Sequence, residues 1–156
     1  GQTEKYVFTS EWYDIPVAST ANLISEADWQ TMIAVKSAVN KQIEAARNAK
    51  LIGSNLSAKV ELWANPELKA VLDRLGDELR FVLITSTVIV NTADETQGET
   101  TDLDGLRVKV SAADGEKCAR CWHVLPDVNT HLAHPGLCSR CIINLPTGQG
   151  EERKYA

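Results

Sequence analysis

At 156 residues, 44% of them hydrophobic, the chain has material for one ordinary domain or two small ones, and burial of about 68–70% of its unfolded surface is within reach. A formal net charge of −5 exerts no global pull on nucleic acid, so any such contact falls to a local patch. No apolar run approaches the roughly 18 residues of a bilayer span, and the opening GQTEKYVFTS lacks the regions of a signal peptide, so the expected setting is cytoplasmic, with no membrane and with reduced cysteines.

A chain that opens on Gly1 and has Met32 as its single methionine reads as a piece of something larger. Its aromatic stretch VFTSEWYDIP, residues 7–16, suits a segment packed on a neighbouring element. From Ser25 to Lys50 the period is helical: Met32, Val35, Val39, Ile43 and Ala46 recur at three- and four-residue spacing with polar residues between, and Gly53 is the expected stop. Lys59 to Ala64 alternates as a half-buried strand. Asn65 then caps a helix with Pro66 at its first position and Leu68, Val71, Leu72 and Leu75 along one stripe. The run FVLITSTVIV is too β-branched to be helical throughout, which predicts a strand over about Ser86 to Asn91. After the polar loop TADETQGETTDLDG, Leu106 to Val110 alternates again and is expected to pair antiparallel with the preceding strand.

Beyond Asp114 the texture changes to short turns, glycines and prolines, with too few large apolar residues for an independent core. All four cysteines lie here, as Cys118-x2-Cys121, sixteen residues, then Cys138-x2-Cys141. That spacing predicts one structural zinc ion on four thiolates, each C-x2-C turn directing two sulfurs to the same point and leaving no position for water. The redox alternative needs a C-x-x-C between a strand and a helix, and a catalytic zinc needs an open position. His123, His131 and His134 are read as surface or packing residues. His131-Leu-Ala-His134 has neither the acid nor the spacing of a metalloprotease helix.

A zinc ion with four thiolates is formally −2, so Lys117, Arg120 and Arg140 around the knuckles are candidate neutralisers, equally suited to meet phosphate. Trp122 follows a ligand directly and suits either cover for the metal site or stacking on an unpaired base. Arg153 and Lys154 beside Tyr155 form a basic, aromatic end. The RNA-contact candidates are therefore Arg120, Trp122, Arg140, Arg153 and Lys154. No nucleophile–base pair, phosphate-cradling glycine loop or paired-carboxylate site stands out, so no catalytic residue is assigned; Asp77, Glu78 and Arg80 read as a charged helix face.

The segments GEKCARCWH, LCSRC and the ending GEERKYA, together with VFTSEWYDIP, VNKQIEAAR, ELWANPEL and GDELRFVLITS in the same order, resemble the C-terminal region of bacterial isoleucyl-tRNA synthetases over essentially the whole chain. The resemblance implies an α+β fold in three parts: the end of a helical anticodon-binding region in 1–55, a small α/β unit in 56–113, and a four-cysteine zinc module with a basic tail in 114–156. It implies that the four cysteines are the zinc ligands, and that the partners are the anticodon end of isoleucine tRNA and the remaining synthetase domains. In the family, ATP-dependent ligation and editing belong to upstream domains. HIGH-type and KMSKS-type sequences are absent here, so this stretch is expected not to aminoacylate alone. Two rival readings stay open: an interdomain docking scaffold with incidental RNA contact, and a DNA-binding zinc finger of the repair-glycosylase type, whose N-terminal catalytic proline or glutamate is missing where Gly1 and Gln2 stand.

Overall fold

The structure, a computed structural model, describes residues 6–9 and 24–155; residues 10–16 of the aromatic stretch read as a packing segment lie outside them. Helix α1, Glu26–Asn48, begins in a capping box: the Ser25 hydroxyl accepts from the Asp28 N–H at 3.1 Å while the Asp28 carboxylate accepts from the Ser25 N–H. Its buried stripe is Met32, Val35, Ala38, Val39, Ile43 and Ala46, the predicted positions with Ala38 added. The helix stops before Gly53. Lys50 takes a left-handed φ of 60°, and the Leu51 and Lys50 N–H groups close on the carbonyls of Ala46 and Arg47. This is the Schellman ending with lysine where glycine is usual.

Strand β1, Ala58–Ala64, leads through Asn65 into α2, Pro66–Asp73, where the Asn65 side-chain oxygen accepts from the Leu68 N–H at 2.9 Å. A short helix α3, Leu79–Leu83, precedes β2, Thr87–Thr92. The two-residue β3, Glu99–Thr100, and β4, Leu106–Ala112, complete a four-stranded sheet of order β2-β1-β4-β3. The expected β2–β4 hairpin is not formed. β4 pairs antiparallel with β1, with Leu62 opposite Val108, and β2 runs parallel to β1 on its other side. Burial follows this order: β1, in a central place, has five of seven residues buried, whereas β2, at an edge, has none. The loop from Ala93 to Gly105 therefore crosses the end of β1. Gly105 permits that crossing, since at its φ of +75° a Cβ would lie 2.2 Å from the Asn65 amide nitrogen.

Helix α1 lies against β4, α2 and α3, and its buried stripe joins Val60, Leu62, Leu72, Leu79, Leu83 and Val108 in one apolar core. A second, smaller cluster consists of Cys118, Val128, Cys138 and Cys141. It belongs to a module containing the hairpin β5, Glu116–Lys117, with β6, Val124–Leu125, and the short helix α4, Ser139–Ile143. Ser86, 1% exposed, rivets the two regions together. Its hydroxyl donates to the Leu56 carbonyl at 2.6 Å and accepts from the Val124 N–H at 2.7 Å. Helices, a mixed sheet and a cysteine knuckle make the fold α+β, as expected. Among the described residues no helix is long and apolar enough to cross a membrane.

Candidate metal centre

Gly115 opens the module in a conformation that leaves no room for a side chain: at φ +108° a Cβ would lie 2.3 Å from the Leu125 carbonyl. The hairpin then delivers Cys118 to a tight turn. The Trp122 N–H bonds the Cys118 carbonyl and the Cys118 N–H bonds the His123 carbonyl, with Trp122 itself at φ 67°. Cys138 is the N-cap of α4 and Cys141 lies within it. The sixteen-residue connection is tied back at both ends. Asn129 accepts from the Gly136 N–H and Asp127 from the Ser139 N–H, each at 2.7 Å, and the Ala119 N–H bonds the Gly136 carbonyl. These bonds set the two C-x2-C turns face to face.

The four sulfurs lie within 4.8 Å of one another, and Cys121 Sγ to Cys138 Sγ is 3.7 Å. Zinc–sulfur bonds of about 2.3 Å in a tetrahedron require sulfur–sulfur edges of about 3.8 Å, so the set fits a zinc ion. The same 3.7 Å separation is far beyond a disulfide bond of about 2.05 Å, and all four thiols are free. Cys118, Cys138 and Cys141 are at most 1% exposed and Cys121 is half-buried, which makes the site closed. Among the described residues this is the one His, Cys, Asp and Glu group placed to hold a metal. His131 instead meets the Ser139 hydroxyl at 2.8 Å. His123 packs edge-on against Phe81, with burial and the nearby Arg80 guanidinium holding its pKa below the usual histidine range.

Burial pushes the thiols of Cys138 and Cys141 up. Burial acts on Cys118 in the same direction, but N–H donors from Cys121, Cys138 and Arg120 outweigh it and bring that thiol down to about 6. A divalent cation supplies the charge that lets all four ionise together. For Arg140, burial favours the neutral form, yet the Glu151 carboxylate and the Cys121 and Cys141 sulfurs hold the guanidinium proton more tightly than usual.

The five candidate RNA contacts fall into two sets. Trp122 is 61% exposed, so it does not cover the metal site; its ring carries the Lys117 ammonium 5.3 Å from the centroid. Arg120 and the Lys154 side chain are also exposed. Arg140 and Arg153 are brought together by Glu151, with Arg140 Nε donating to that carboxylate at 2.8 Å and Arg153 Nε at 2.8 Å. Both guanidinium groups also lie on the Phe81 ring, 4.7 and 4.3 Å from its centroid. Arg120, Arg140 and Arg153 line one cleft of about 420 Å³ beside Cys121 and Cys141. Sequence reasoning missed Phe81, Ser86 and Glu151, and took Glu78 only as part of a charged helix face. Asp77 does pair with Arg80 at 2.9 Å, but Glu78 accepts from backbone groups of the tail, a link with no local signature.

Residues 115–143 match the family model described as "Zinc finger found in FPG and IleRS". Along nearly its whole length the chain is similar to proteins described as isoleucine--tRNA ligase. Identity is 79% over 155 residues with that of Acinetobacter baylyi, covering 99% of this chain and 16% of the relative. It is 46% over 156 residues with that of Saccharophagus degradans and 49% over 160 residues with that of Alcanivorax borkumensis, in each case covering 100% of this chain and 17% of the relative. The chain thus spans about one sixth of the length of the relatives it matches.

Proposed function

Because this chain belongs, as one segment, to the isoleucine--tRNA ligase family, we propose that it is the part of such a ligase that contacts the anticodon end of isoleucine tRNA. In this reading Cys118, Cys121, Cys138 and Cys141 ligate one structural zinc ion, and the segment contributes no catalytic group. ATP-dependent ligation of isoleucine falls to the rest of the enzyme, in the cytoplasm, where thiolates stay reduced. In the same reading residues 1–55 are the end of a helical anticodon-binding region, 56–113 a small α/β unit, and 114–156 the zinc module with its basic tail.

The observation that carries the reading is Trp122. An indole left 61% exposed, fixed in a left-handed turn next to a metal-site cysteine and topped by a lysine, is a rigid platform for an unpaired base with a cation in phosphate range. Sequence-selective RNA recognition favours such unstacked bases, which a bent anticodon loop presents. Arg120 and Lys154 are the exposed cations for the flanking backbone.

Binding of isoleucine tRNA across a salt series, with a non-cognate tRNA as control, tests this. Trp122→Ala is expected to weaken cognate binding by roughly 5- to 150-fold, the stacking of one base at about 1–3 kcal/mol, without loss of zinc. Arg120→Ala and Lys154→Ala are expected each to lower the salt slope by about one. Full cognate affinity in Trp122→Ala would remove the platform from the interface.

The scaffold reading draws on one specific observation: Arg140 and Arg153 are spent on Glu151 and Phe81. We assign these two residues to RNA only through displacement of Glu151, and otherwise to internal docking. Similarity that runs through all of the α/β unit favours the ligase over the glycosylase setting.

A further inference from the structure

The last described residues do not trail into solvent. The chain returns from the second cysteine knuckle across α3, and the Glu78 carboxylate receives it: one oxygen accepts from the Lys154 N–H at 2.8 Å and the other from the Tyr155 N–H at 2.6 Å. Tyr155 is half-buried against the main apolar core. Just before it, Glu151 binds two arginines at once. One of them, Arg140, stands between two of the metal-site cysteines. Arg140 also rests on Phe81 of α3, beside His123 of the first knuckle. Tail, second knuckle and α3 therefore meet in one contiguous set of contacts, and Glu151 itself is anchored by its N–H to the Asn144 side chain at 3.1 Å.

We infer that residues 151–155 form a strap that holds the second cysteine knuckle through Arg140, so that docking of the tail on Glu78 and retention of the metal are thermodynamically linked. The inference rests on the four-thiolate site of the preceding subsection. Zinc orders the turn that carries Arg140. An ordered Arg140 offers Glu151 and Phe81 a fixed partner, and Glu151 leads directly into the strap. Linkage works both ways: whatever factor the docked strap adds to metal affinity, the metal adds to strap docking. Groups around the ligands of a metal site commonly govern affinity by 10- to 100-fold, and Arg140 is such a group. The strap thereby couples a module with little core of its own to the sheet unit, a second attachment besides the Ser86 rivet.

The test uses the full chain loaded with zinc, and begins with metal content. Zinc transfer to a chromophoric chelator is then timed for the parent chain, a chain ending at Gly150, Glu78→Ala, Glu78→Gln and Lys154→Ala. The shortened chain and Glu78→Ala are expected to release zinc about tenfold faster. Glu78→Gln, which keeps an acceptor, should fall between, and Lys154→Ala should match the parent because only its backbone reaches Glu78. Reciprocally, chelation should speed amide exchange at Lys154 and Tyr155 by a similar factor, with β1 amides reporting that the sheet stays folded. A parent chain without zinc would defeat the four-thiolate site itself. A parent chain with one zinc, whose release is unchanged by shortening and by Glu78→Ala, would overturn the strap alone.

Discussion

The sheet unit buries Val60, Leu62, Leu72, Leu79, Leu83 and Val108 to 1% exposure or less, whereas the module from Gly115 onward buries three cysteines, Val128 and His123. The first region has what apolar burial requires, at about 1.5–3 kcal/mol for each large side chain removed from water. The second has four sulfurs within 4.8 Å of one another, backbone bonds and no comparable core. Two adjoining regions of one chain thus reach a fixed shape by different means, and the difference lies in what each can lose. Removing apolar volume should harm the sheet unit, and removing a cation should harm the module.

Metal removal divides the regions most sharply. Structural zinc is worth about 10–16 kcal/mol to small zinc-held domains at neutral pH. A strong chelator is therefore expected to abolish amide protection at Cys118, Ala119 and Trp122 while strand β1 keeps its own, as read by hydrogen exchange. Loss of protection in both regions together would show that the sheet unit leans on the module. The converse perturbation is Leu62→Ala in the central strand. It should cost about 2–5 kcal/mol in a urea titration and leave one zinc per chain.

A smaller effect tests local strain. Ile84 is a β-branched residue at φ 57°, 48% exposed, in the turn between α3 and β2. The left-handed region costs such a residue about 1–2 kcal/mol. Ile84→Gly should raise stability by about 0.5–1 kcal/mol after the extra chain entropy of glycine is subtracted. An unchanged or lower melting temperature would mean that the isoleucine side chain contributes packing that outweighs the strain.

The smallest effect is the response of the strap to pH. Burial raises the Glu151 carboxyl, but bonds from Arg153 and Arg140 overcome this and hold it below its ordinary 4.5. A depressed folded value means stability that is present above pH 4.5 and fades as pH falls through the folded value. The parent chain should be more stable than Glu151→Gln near neutrality, and the gap in thermal melts should close under acid. A gap that stays constant with pH would show that the Glu151 charge is not what holds the arginines.

Features set by near neighbours were legible in the residues. The stripe of α1 follows from three- and four-residue spacing, the start of α2 from Asn65 and Pro66 side by side, and the metal site from the two C-x2-C pairs. What escaped is long-range or depends on competition between partners. The turn at Lys50 ends α1 before Gly53 because a lysine accepts a left-handed φ there, at a cost that composition does not reveal. The strand over Leu106 to Val110 is expected beside the one over about Ser86 to Asn91, but β1 lies between them and pairs with both, a long-range arrangement that local alternation does not encode. Arg140 and Arg153 looked like free cations because their partners, Glu151 and Phe81, are recognisable only once the tail is seen to cross α3. Trp122 is open to two readings in the sequence, and its exposure argues against the one that makes it cover for the metal site.

X-ray absorption at the zinc edge, on freshly prepared reduced protein with the metal counted per chain, decides whether the four cysteines hold a zinc ion. One zinc per chain surrounded by four sulfurs at about 2.3 Å is the predicted result. Nitrogen or oxygen in the coordination shell, or protein that folds normally with no zinc at all, would contradict it.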